Sequence, residues 1–213
     1  MVHKISIFFF SLLLMIFAGC SAGFINTQDS GFQQKYEEYD YCRITATKQM
    51  RSNSCGIACL ISILNYWQID ITEQSILIEF PKSKEEGYSI TELKHIATIK
   101  GLTAYTFSMQ EDSVSQLKRE ILKGRPVICA TLFPDMLYFA YDVPIYGYVY
   151  RKLLWAIGPK KDHYLVVFGF GHDKFLIMDP IRGFVSISQK DFESCWKKKN
   201  YVVLLCAKES GSP

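Results

Sequence analysis

The amino-acid sequence predicts an α+β fold in which N-terminal helices pack on an antiparallel β-sheet. Apolar residues recur at spacings of three and four through the first half of the chain, the period of a buried helix face. Short apolar runs bounded by turn residues dominate the second half, the pattern of strands. Helices first and strands afterwards imply segregated layers rather than alternating βαβ units.

The elements follow in order. After Cys55, apolar residues fall at Ile57, Leu60, Ile61, Leu64 and Trp67, one face of a helix. Ser52, Asn53 and Ser54 supply N-cap candidates directly before it. Thr72–Phe80 reads as a short second helix stopped by Pro81. Ser89 and Glu92 form a capping-box pair ahead of Leu93, Ile96 and Ala97, with Gly101 as the stop. Asp112 or Ser113 opens another helix through Val114, Leu117 and Ile121, ending at Gly124. Strands are expected at Pro126–Leu132, His163–Gly171, Phe175–Asp179 and Gly183–Ile187. Ser188 and Asp191 mark a short helix through Phe192 and Trp196, and Tyr201–Ala207 is the last strand. No repeat, P-loop or dinucleotide-binding glycine pattern is present; Gly169-Phe-Gly171 alone is too weak to use.

Length and composition set the class. The chain has 213 residues, enough for one domain with a substantial core. With 49% hydrophobic and 21% charged residues it belongs with globular rather than disordered sequences. The formal net charge is +3, to which Lys4 contributes one, and no basic stripe points to nucleic acid.

The N-terminus reads as a targeting segment. Ile5–Phe17 is apolar throughout, long enough for a signal-peptide core and short of the ~20 residues of a membrane-spanning helix. Small residues follow, then Cys20. The stretch Phe17-Ala-Gly-Cys resembles the lipobox of bacterial lipoproteins, although Phe17 stands where Leu is usual. The resemblance implies residues 1–19 as signal, lipid on Cys20, and a tether across residues 20–40. A domain is then expected over 41–208, with a short tail at 209–213. Ser21 after the lipidated position implies the outer membrane, facing the periplasm, in a Gram-negative cell. Six cysteines remain beyond Cys20, and an exported location permits disulfides among them.

The chemistry centres on Cys55. A cysteine in the first turn of a helix faces unsatisfied backbone N–H groups and the positive end of the helix dipole. Both favour thiolate, the nucleophilic form. A disulfide, a metal ligand with Cys59 and an inert core thiol are the competing readings for this position. Cys59, one turn later among apolar neighbours, reads as core. A thiol nucleophile needs a base and the base an orienting group. His95 lies inside a helical segment and His172 in a turn, whereas His163 opens a strand. Asp179 ends the next strand before Pro180 and is placed to hold an imidazole. His163 and Asp179 share a sheet face only if the turn between their strands has an odd number of residues or a bulge shifts the register. A turn of His172-Asp173-Lys174 would satisfy this.

Three segments together resemble the bacteriocin-processing, double-glycine leader peptidases: Q-M-R-S-N-S-C-G-I-A-C-L from Gln49, D-H-Y-L-V-V-F-G-F from Asp162 and F-L-I-M-D-P-I-R-G from Phe175. The resemblance extends over about Tyr41–Ala207. It implies a papain-like cysteine peptidase fold, with Cys55 as nucleophile, His163 as base, Asp179 as orienter and Gln49 as oxyanion donor. It implies a peptide or protein substrate and calls for no metal, cofactor or ATP. A lipid-anchored domain that binds peptides without cutting them is the alternative. Ser54 departs from the acid often found before the nucleophile. The stretch Pro134–Lys161 is longer than the family's usual connection and rich in aromatics, and reads as an added hairpin or a substrate- or membrane-facing flap.

Overall fold

A computed structural model describes residues 27–83, 86–110, 112–134 and 160–208. The proposed signal, Cys20, the tail from residue 209 and nearly all of the aromatic stretch lie outside the described residues. The helices are α1 (Ser30–Lys35), α2 (Cys55–Tyr66), α3 (Glu73–Glu79), α4 (Ile90–Ile99), α5 (Ser113–Leu122) and α6 (Gln189–Lys197). The strands are β1 (Asp40–Tyr41), β2 (Thr103–Ser108), β3 (Val127–Pro134), β4 (Lys160–Gly171), β5 (Lys174–Asp179), β6 (Gly183–Ser188) and β7 (Val202–Ala207).

The strands form one antiparallel sheet in the order β2-β7-β3-β4-β5-β6, with β1 pairing on β4. This is the α+β architecture that the sequence predicts, with one addition. Leu165, Val166, Val167 and Phe168 of β4 are all fully buried, so the central strand is covered on both faces. Helix α2 packs on β4 and against α4, α5 packs on β1, β3 and β4, and α6 packs on β3, β5 and β6. The core runs from Leu60 and Leu64 of α2 through β4 and β5 to Phe192 and Trp196 of α6.

Local chemistry explains the helix starts. Thr72 caps α3 by accepting from Ser75 N–H, and Ser89 caps α4 by accepting from Glu92 N–H, each answered by the partner's side chain. Ser188 caps α6 through Asp191 N–H at 3.1 Å. Ser54 differs from the expectation. It occupies the N-cap position of α2, yet its hydroxyl makes no cap; it turns back to donate to Arg51 O at 3.0 Å and accept from Arg51 N–H at 3.1 Å. The first turn of α2 is therefore left without a side-chain cap.

Three elements were not expected, the shortest being β1 (Asp40–Tyr41). Strand β2 buries Ala104 while Tyr105 and Phe107 face solvent, so the strand pattern is weak at this sheet edge. Helix α1 lies inside the stretch expected to be a tether. Its Phe32 is buried, with ring centroids 5.5 Å from Tyr41, 5.4 Å from Phe184 and 6.2 Å from Phe168. Thr27 is also buried and donates to Ile44 O at 2.7 Å. Packed structure thus begins by residue 27, ahead of Tyr41.

Candidate active site

The site forms where the start of α2 meets the first half of β4. Close approach is possible because residue 56 is glycine. A Cβ there would lie 2.9 Å from Leu93 Cδ1 and 3.1 Å from Tyr164 Cδ2. Cys55 is half-buried, and its thiol lies within hydrogen-bond reach of the backbone N–H groups of Tyr164 and Gly56. The cleft outside is lined by Cys55, Gly56, Gln49, Tyr88, His163 and Tyr164, with Ile181 at its edge. The structure thus gathers Gln49, Cys55 and His163 around one cavity.

Register brings Asp179 to His163. The β4–β5 turn contains two residues, His172 and Asp173, since Gly171 pairs with Lys174. Of the two routes open from sequence, an odd-numbered turn or a bulge, the turn is therefore not the three-residue His172-Asp173-Lys174. With an unbroken ladder, a two-residue turn would set Asp179 opposite Val166, on the sheet face away from His163. A β-bulge intervenes: Gly169 pairs with Leu176 but Val167 with Ile177, leaving Phe168 as the extra residue. Beyond it Val166 pairs with Met178, so continuation places Asp179 across from Leu165, two residues from His163 on the same face. His163 Nε2 then lies 3.2 Å from Asp179 Oδ2.

The bulge is held from the side by β1. Cys42 N–H donates to Phe168 O at 2.7 Å. Gly169 admits the approaching strand, for a Cβ there would lie 2.5 Å from Tyr41 Cβ and 3.0 Å from Asp40 O.

Asp179 is fully buried. Its Oδ1 accepts from Ile181 N–H at 2.6 Å and Arg182 N–H at 3.2 Å, while Oδ2 faces the imidazole. Burial pushes its pKa up to about 6, against the opposing pull of those two N–H groups and the Arg182 charge. Burial also raises the Cys55 thiol; the N–H groups of Tyr164 and Gly56 oppose this, and the Asp179 charge adds to it. The helix start therefore does not by itself bring the Cys55 thiol below its ordinary value. Gln49 Nε2 donates to Arg51 O at 2.8 Å, and its Oε1 is buried without a partner. The Gln49 backbone N–H donates to Pro180 O at 3.0 Å, which joins its loop to the turn after Asp179.

The remaining candidates fall elsewhere. Cys59 is fully buried in the core, its thiol raised well above the ordinary value mainly by burial. His95 is exposed on α4 beside the Phe80 ring. His172 sits exposed in the β4–β5 turn, 3.1 Å from Glu38. All six described cysteines, from Cys42 to Cys206, are free thiols.

Comparison with known proteins identifies the class. The Peptidase C39-like family matches residues 31–203, and the chain belongs to that family. The fold is that of C39-like peptidases. The peptidase domain of Streptococcus ComA, a bi-functional ABC transporter involved in a quorum-sensing pathway, superposes with a TM-score of 0.55 at 17% identity, covering 77% of this chain and 98% of that domain. A double-glycine motif protease from an AMS/PCAT transporter, in complex with its leader peptide, gives 0.53 at 18% identity, covering 79% and 94%. A putative C39-like peptidase from Bacillus anthracis gives 0.53 at 16% identity, covering 79% and 96%. In sequence, the sublancin-168-processing and transport ATP-binding protein SunT of Bacillus subtilis strain 168 is 25% identical over 158 residues, 74% of this chain. The match covers 18% of SunT, so the chain spans under a fifth of that relative's length.

Proposed function

We propose that this protein is a cysteine endopeptidase that cleaves an exported or leader-bearing polypeptide. The observation that carries the reading is the His163–Asp179 contact at 3.2 Å, opening on the cleft that also holds Cys55 and Gln49. Ionised Asp179 is acceptor-only, so the ring nitrogen facing it, Nε2, carries a proton. Exchange with Cys55 then falls to Nδ1. Nδ1 takes the thiol proton, and the resulting thiolate–imidazolium pair offsets the burial that raises Cys55.

The sulfur attacks the scissile carbonyl carbon, and the C=O electron pair moves to oxygen. Gln49 Nε2 and the Cys55 backbone N–H donate to that oxyanion, each such donor being worth ~3 kcal/mol. Collapse breaks the C–N bond, and His163 Nδ1–H protonates the leaving amine. Water, deprotonated by His163, then hydrolyses the thioester and regenerates the thiol. The family of double-glycine proteases supports a small-residue pair before the scissile bond.

We further propose that Cys20 carries the lipid that tethers the enzyme to a membrane, the outer membrane in a Gram-negative cell. Loss of radiolabelled palmitate incorporation in Cys20→Ala, with incorporation in the wild type, is the result expected; label retained in Cys20→Ala overturns the tether.

The deciding experiment for catalysis is turnover of a fluorogenic peptide ending in Gly-Gly-amidomethylcoumarin, set beside iodoacetamide labelling of Cys55. Turnover lost in Cys55→Ala, and labelling at pH 6 slowed in His163→Ala, support the peptidase. The raised thiol favours one alternative, a peptide-binding domain without catalysis. Ordinary thiol reactivity at Cys55, together with unchanged N-termini of exported proteins in Cys55→Ala cells, would establish it instead.

A further inference from the structure

The loop bearing Gln49 is held at its backbone from two sides. Gln49 N–H donates to Pro180 O, and the next amide, Met50 N–H, donates to Glu73 Oε2, both at 3.0 Å. The first contact belongs to the turn after Asp179. The second reaches to the opening residue of α3, in a different part of the chain.

Glu73 is an unusual residue to find there. It is 5% exposed, and its second oxygen, Oε1, is buried without a hydrogen-bond partner. A buried carboxylate with one oxygen unsatisfied costs free energy, so packing alone would favour an apolar side chain. The Met50 side chain is 72% exposed and does little to anchor the loop. The peptide units on either side of the Gln49 Cα are thus each held by one contact, Lys48–Gln49 by the Pro180 carbonyl and Gln49–Met50 by the Glu73 carboxylate. Between them the Gln49 side chain lines the cleft with Cys55, its Nε2 donating to Arg51 O at 2.8 Å.

We propose that Glu73 is a positioning residue for oxyanion stabilisation: by holding Met50 N–H it aims the Gln49 amide at the carbonyl attacked by Cys55. The inference rests on the peptidase reading. Its consequence is selective. A misaimed donor weakens the transition state and leaves ground-state binding intact, so kcat falls while KM stays. Thiol alkylation forms no oxyanion and is unaffected.

The test is a double-mutant cycle on the Gly-Gly-amidomethylcoumarin substrate, with the 15N side-chain amide resonances of Gln49, assigned through Gln49→Ala, as an independent readout. Glu73→Ala is expected to lower kcat about tenfold at constant KM, with unchanged iodoacetamide labelling of Cys55. Glu73→Gln, which keeps an acceptor for Met50 N–H, restores kcat to within about twofold. In a Gln49→Ala background, Glu73→Ala costs nothing further. The Gln49 amide resonances shift in Glu73→Ala and return in Glu73→Gln.

An equal loss of kcat in the Gln49→Ala background, or unmoved Gln49 amide resonances in Glu73→Ala, overturns the proposal. Absence of turnover in the wild type overturns the peptidase reading, and the resonance shift still decides the role of Glu73.

Discussion

Replacing Asp179 by Asn separates what the carboxylate does for folding from what it does for chemistry. Its Oδ1 accepts from the Ile181 and Arg182 N–H groups, and its Oδ2 lies 3.2 Å from His163 Nε2, the donor in the proposed mechanism. An amide offers one accepting oxygen. If that oxygen stays on the turn, its NH2 faces Nε2, which must then be the unprotonated nitrogen. The ring proton moves to Nδ1, and Nδ1 no longer accepts the Cys55 proton. If the amide rotates, its NH2 confronts two N–H donors in the turn. A wrong-tautomer substitution of this kind costs about 10⁴ in serine–histidine–aspartate enzymes, so a loss of ~10³–10⁴ in kcat is expected here.

Stability moves the other way. Asp179 rises from an ordinary 3.8 to about 6 on burial. A raised carboxyl pKa means that the folded state holds its proton more tightly than the unfolded chain. Stability from this group is full below pH 3.8 and is lost as the pH rises through about 6. At about 1.4 kcal/mol per unit the difference is ~3 kcal/mol. The unsatisfied contact that Asn introduces costs about 1–3 kcal/mol at every pH, so the slope is the readout. Urea unfolding at pH 4 and pH 7.5 should show wild type losing ~2.5 kcal/mol relative to Asp179→Asn at the higher pH, since part of the span is already lost by pH 4. A variant within about tenfold of wild-type kcat/KM would refute the orienting role. Parallel pH–stability curves would refute the buried, proton-retaining carboxylate.

The other predictions concern single contacts. Gln49→Ala should lower kcat ~10²–10³-fold with KM within about threefold, measured by steady-state kinetics; a matching rise in KM with kcat unchanged would make Gln49 a binding residue only. Gly169→Ala drives a methyl against Tyr41 Cβ and Asp40 O of β1 and should destabilise by ~1–3 kcal/mol in urea unfolding, with an unchanged curve counting against the close approach of β1. Phe32→Ala should cost ~3–5 kcal/mol, whereas a value near zero would show that α1 is not part of the cooperative core.

The helices were legible because their signals are local. Ser89 begins a helix as its capping box predicts, the helix expected over Thr72–Phe80 forms with Thr72 as its cap, and α2 starts at Cys55. Helix α1 was not legible because its packing rests on the single side chain Phe32, which has no period. Strand β2 was missed because only its inner residue Ala104 is buried. At the candidate site the sequence singles out Gln49, Cys55, His163 and Asp179 by residue type, but not their geometry. That His163 and Asp179 meet depends on a bulge, and the parity of a ladder is not written in residue types. Ser54 shows the same limit: its type suits a cap, but its hydroxyl goes to Arg51. Glu73 gave no sequence signal, since its partner is a backbone amide.

The Phe168 bulge means that the β4–β5 hairpin stores one residue of slack. His163 and Asp179 stand sixteen positions apart in the chain. A hairpin lacking the equivalent of Phe168, with an even ladder and the same turn, would bring the same two side chains together across fifteen. The spacing between His163 and Asp179 is therefore not the quantity that selection must preserve; which sheet face each occupies is. Among relatives, a residue gained or lost in this hairpin should coincide with a bulge appearing or dissolving, and any pattern that demands a fixed gap between the two motifs will overlook enzymes built on the same pair.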